Sequence, residues 1–82
     1  MSFPKISANK VAVSYAEYDT GIVLDVDFNR HISINQTEFI IFNDLEDAKN
    51  DCLSKVSLNP KIECHIYDCN EKEILTIDKK SL

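Results

Sequence analysis

With 82 residues the chain has room for one domain and one core, and chains of this size bury only about 60% of the surface they expose when unfolded. A hydrophobic content of 44% excludes a disordered chain, and no apolar run approaches the roughly 20 residues that cross a bilayer. The formal charge of -5 repels nucleic-acid phosphates, which argues against direct DNA or RNA binding.

That charge is local. Lys5 and Lys10 balance Glu17 and Asp19, acids and bases cancel again beyond Asp51, and the excess lies between Asp25 and Asp51. The first residues, Met1 to Lys5, show no apolar segment followed by small side chains. No secretory leader is therefore expected, and a cytoplasmic location is the default. The odd number of cysteines and the lack of C-x-x-C spacing argue against a disulfide framework. Cys52 and Cys64 fall on apolar stripes and are expected to be buried, whereas Cys69 falls in a turn.

In chain order, residues 1–9 are expected to be a flexible end. Lys10 to Tyr18 alternates loosely, with Val11, Val13 and Tyr15 on one face. Asp19-Thr20-Gly21 is a turn, and Gly21 to Phe28 alternates strictly, with Ile22, Leu24, Val26 and Phe28 inward and Asp25 and Asp27 outward. The two segments read as a hairpin. Asn29-Arg30-His31 is a bend, and Ile32-Ser33-Ile34 either prolongs the sheet or starts a short strand. Phe39-Ile40-Ile41-Phe42 is apolar on both faces, which predicts a central, doubly covered strand.

A helix follows. Asn43 suits its N-cap with Glu46 three residues on, Leu45, Ala48, Cys52 and Val56 form its apolar stripe, and Asn59-Pro60 ends it by Ser57. The Phe39 strand, the helix and the Ile62 strand form a natural right-handed crossover. Ile62, Cys64 and Ile66 then face the helix, and Glu63, His65 and Tyr67 point away. After the 68–72 turn, Ile74 to Asp78 closes a second hairpin, with residues 79–82 a loose end. The expectation is a single α+β domain over 1–82: a four- or five-stranded, mainly antiparallel sheet with one helix on one face.

Four motifs compete with plainer readings. Asp19-Thr20-Gly21 spells the catalytic triplet of aspartic proteases, but that chemistry needs two carboxylates sharing a proton and loops rich in glycine. Gly21 is the sole glycine, and a hairpin turn explains the triplet. Asp25-Val26-Asp27-Phe28-Asn29 opens like an EF-hand calcium loop, yet Arg30 stands at the glycine position and Gln36 at that of the bidentate glutamate. His31, Cys64, His65 and Cys69 make a poor zinc set, because adjacent strand residues point to opposite faces. Asp44, Glu46 and Asp47 are accounted for by the helix dipole, and Asp51 by Lys55 four residues on. No metal or cofactor is expected, and no enzyme.

One feature exceeds its plain reading. A lone helix covers one sheet face, so the second face of the Phe39 strand needs another cover, either a partner surface or the N-terminal hairpin folded over it. The leading expectation is a non-enzymatic protein–protein interaction module that binds a partner, or a second copy, through Ile40, Phe42, His65 and Tyr67. The alternative is an acidic inhibitor or immunity-type protein, with Asp25, Asp27, Asp47 and Asp51 masking a basic nucleic-acid-binding surface of its target.

Overall fold

The computed structural model describes residues 3–82. Strand β1 (Val11–Glu17) is the organiser, because all of its residues up to Ala16 are buried and both of its edges are paired. One edge carries β4 (Ile62–Tyr67), and β5 (Glu73–Ile77) pairs with β4 in turn. The other edge carries two short strands in tandem. These are β2 (Val23–Leu24), opposite Tyr15 and Ala16, and β3 (Ile40–Phe42), opposite Val11 to Val13. Every pairing is antiparallel. Helix α1 (Leu45–Leu58) packs on one face, giving the α+β architecture that the pattern predicts.

The first hairpin turns where expected. Gly21 adopts φ 75 and donates to the Glu17 carbonyl at 2.8 Å, a left-handed conformation natural to glycine. The second strand is much shorter than Gly21–Phe28, because Asp25 ends it. Its Oδ1 accepts from the backbone N–H groups of Asp27 (2.9 Å) and Asn29 (3.0 Å), a local alternative to the sheet ladder. Asp25 is consequently buried, not outward, and Phe28 is turned into the left-handed region at φ 66. Residues 29–36 contribute only a single bridge, Leu24 to Arg30, and otherwise form a loop.

β3 is an edge strand rather than a central one. β2 and β3 occupy successive stretches of one β1 edge, so the other side of β3 has no strand neighbour among the described residues. Both β3 and β4 run antiparallel to β1, so the α1 connection passes over β1 to join two mutually parallel strands.

The helix begins at Asp44, one residue after the expected cap. The Asp44 side chain accepts the Asp47 N–H at 2.8 Å, satisfying a donor that the first turn leaves orphaned. Ala48, Cys52 and Val56 are buried against Val13, Tyr15, Cys64 and Ile66, whereas Leu45, expected on the same stripe, is 39% exposed. Asn59 closes the C-terminus by donating its N–H to the Lys55 carbonyl, and the helix runs to Leu58, one residue beyond the expected end. In β4 the predicted alternation holds, with Ile62, Cys64 and Ile66 buried. The following turn is built on Asp68, whose Oδ1 accepts from Asn70 and Lys72, and it holds Glu71 at φ 68. Residues Lys79–Ser81 form a short 3-10 turn capped by Asp78.

Candidate functional site

Facing is decided by the β1 register. Phe42 opposes Val11 and Ile40 opposes Val13, so both share the helix side with those residues and pack against the core. The expectation that Ile40 and Phe42 lie on the open face is overturned by this pairing. Phe39 and Ile41 take the open face instead, alongside His65 and Tyr67, whose β1 partners are Ser14 and Ala12.

On that face His65 sits between two carboxylates. Its Nε2 is 2.9 Å from Glu63 and its Nδ1 is 3.1 Å from Glu73. Glu73 also accepts from the Thr76 hydroxyl, and that bond, with the His65 contact adding to it, holds its carboxyl below the usual range. Because the two carboxylates approach opposite ring nitrogens, they do not converge on a common point where a metal ion could sit. Among the described residues no group of His, Cys, Asp and Glu is arranged to hold one. Next to His65 on this face, Tyr67 forms an aromatic trio with Phe3 and Phe39, and burial pushes its phenol up.

The second candidate is the loop 26–37, whose ends are tied by Val26 N–H donating to the Thr37 carbonyl at 2.9 Å. Gln36 organises its interior. Gln36 Oε1 accepts from the N–H groups of Ile32 (2.7 Å) and Ser33 (2.8 Å). Its Nε2 donates to Asp25 Oδ2 (2.7 Å) and to the Arg30 carbonyl (2.9 Å). The bond from Gln36, with that from the Asn29 backbone, holds the Asp25 carboxyl below its ordinary range. The side chains of Ile32 and Ile34 stand outside this network, and the two residues are 89% and 85% exposed.

The calcium-like spacing has a physical meaning here. The first and twelfth positions meet, as they would around an ion, but an amide N–H bridges them directly. Sequence reasoning missed Ile32 and Ile34 as surface groups because their alternation looked like a strand. The signal available was the same Asp25-to-Gln36 spacing, read as a loop closure.

A third feature is an open cleft of about 350 Å³ beside the first hairpin turn, with Leu24, Phe28 and Ile62 as its apolar wall and Glu17, Asp19 and Lys61 at its rim. Glu17 is engaged by Arg30 (2.9 and 3.2 Å) and by the Thr20 hydroxyl (2.7 Å), and these bonds keep its carboxyl low.

The four acidic residues fare unequally. Asp25 is consumed by its turn and by Gln36, and Asp51 is paired with Lys55 at 2.8 Å. Lys55 also donates to the Tyr15 hydroxyl at 2.8 Å, and although burial opposes its charge, these two partners raise its pKa. Asp27 and Asp47 remain exposed.

Comparison with protein-family models, curated proteins and solved structures finds no match to this chain. No helix among the described residues is long and apolar enough to cross a membrane.

Proposed function

We propose that this chain is a non-enzymatic protein-interaction module whose loop 26–37 inserts Ile32 and Ile34 into an apolar pocket on a different protein. The supporting observation is the pairing of extreme exposure with internal order: two isoleucines face solvent while Gln36 locks the backbone that carries them. A loop fixed in its binding conformation loses little entropy on association. Burying two isoleucine side chains contributes roughly 1.5–3 kcal/mol each.

The test is capture of partners from the source lysate by the unchanged chain, by an Ile32→Asp/Ile34→Asp variant and by Leu58→Asp. Leu58 is equally exposed but lies at the end of α1. The reading expects a partner that survives high salt, is lost with the loop variant and is kept with Leu58→Asp. Identical capture by all three would remove the loop from consideration. Release at moderate salt would favour the acidic inhibitor, which has less support because Asp25 and Asp51 are already engaged within the chain. Concentration-dependent self-association would point to a second copy as the partner.

A further inference from the structure

The N-terminal segment lies against the open sheet face without joining the sheet. Residues 3–10 form no strand, and their turn is closed by Lys10 N–H donating to the Ser7 carbonyl at 3.0 Å. The segment is held through Phe3. Its ring meets Phe39 at 5.2 Å and Tyr67 at 5.8 Å, and Phe39 and Tyr67 stand 6.0 Å apart. All three contacts are edge-on, the geometry that aromatic quadrupoles favour.

The two parts of this arrangement differ in how they are anchored. Tyr67 is held by pairing in β4 opposite the fully buried Ala12, and Phe39 by chain continuity with the paired strand β3, which it directly precedes. Phe3 is fixed by neither. The seat therefore persists when Phe3 leaves it. The surroundings are acidic: the Glu73 and Glu38 carboxylates lie close enough to act on the Tyr67 phenol, and Glu63 is four residues back on the same face of β4. The arm that occupies the seat supplies the complementary character, an aromatic side chain followed by Pro4 and the exposed Lys5.

We infer that the notch between Phe39 and Tyr67 is a second docking site, for an extended segment of a partner protein bearing an aromatic residue with a basic residue close behind. Phe3-Pro4-Lys5 is its internal occupant, and a partner binds by displacing it. A tethered occupant acts at an effective concentration on the order of millimolar, so the arm sets a threshold that only a stronger or locally concentrated segment passes.

The test is an NMR titration of the isotopically labelled full chain with an unlabelled, acetylated peptide copying residues 3–9. With the Phe3→Ala chain, the peptide saturates at a concentration about tenfold or more below that needed by the unchanged chain. The largest shifts fall on Phe39 and Tyr67. Pro4→Gly, which loosens the arm through its added chain entropy, gives an intermediate gain. A peptide carrying Ala in place of the phenylalanine produces no shifts, and one carrying Glu in place of the lysine binds more weakly at low salt. Equal titration of the Phe3→Ala and unchanged chains overturns the proposal, as do shifts centred away from Phe39 and Tyr67. Failure of both Phe3→Ala and Pro4→Gly to fold also overturns it, because the arm would then be part of the core. Ile32→Asp/Ile34→Asp leaves this titration unaltered, so the notch and the loop are tested separately.

Discussion

Asp25 shows how far one residue's role can differ from its appearance. On an alternating strand its carboxylate reads as an outward charge, yet it is buried and accepts from two backbone N–H groups and an amide. Its folded-state pKa lies below the unfolded value, so its stabilising contribution is complete above an unfolded carboxylate pKa of about 3.9 and is lost as pH falls through the lower folded value. Gln36→Glu reverses that sign. It places a second carboxylate where the amide now stands 2.7 Å from Asp25, so the pair holds a shared proton in the folded state. Stability of that variant is expected to decline as pH rises from 5 to 7, above the range where the lowered carboxyls of the unchanged chain still gain stability, and thermal melts across this range check it. Glu71 offers a simpler case. At φ 68 it bears the cost of a left-handed non-glycine residue, and Glu71→Gly is expected to stabilise the chain by roughly 0.5–1 kcal/mol in urea titrations. The Asp25–Gln36 spacing was legible in the sequence; its purpose was not, because the same spacing serves an ion or a hydrogen bond.

Among the elements, the helix was legible almost to the residue and β3 was not. Helix signals are local, and the one-residue disagreement over the cap follows from Asn43 and Asp44 both being suitable side chains. Asp44→Ala is expected to cost about 0.5–2 kcal/mol and Asn43→Ala much less, since Asp44 is the residue that accepts the Asp47 N–H. A four-residue apolar run carries no parity. Only pairing with β1, some thirty residues earlier in the chain, decides which side chains meet the helix. Phe42→Glu therefore strikes the core. The loss of roughly 3 kcal/mol expected for it is a large share of the roughly 4–12 kcal/mol available to a chain of this length. Ile41→Glu, on the open face at 45% exposure, is expected to leave the urea midpoint nearly unchanged. His65 and Tyr67 were placed correctly for the opposite reason: β4 alternates polar and apolar residues without a break.

Across the whole molecule, the burial pattern predicts an ordered response to thiol reagents. Cys52 and Cys64 are fully buried, and the neighbouring Cys52 thiol together with burial pushes the Cys64 thiol far up, out of the reactive range. Cys69, partly exposed in its turn, is expected to react alone in the native state, with the other two following only on unfolding; two fast equivalents would contradict this packing. The net charge read from composition proved a poor guide to surface, since part of the acidic excess is spent inside turns and ion pairs. The tandem arrangement on the outer edge of β1 has one more consequence. β2 and β3 run in the same direction along that edge, and the chain between them leaves and returns through one neck at Val26 and Thr37. The excursion is thus a cassette on an otherwise continuous strand pair, and closing a longer one costs only about 0.6 kcal/mol per doubling of length. A foreign peptide spliced between those two residues would inherit a ready-made frame, because neither the neck nor the strand pairing beside it would have to change.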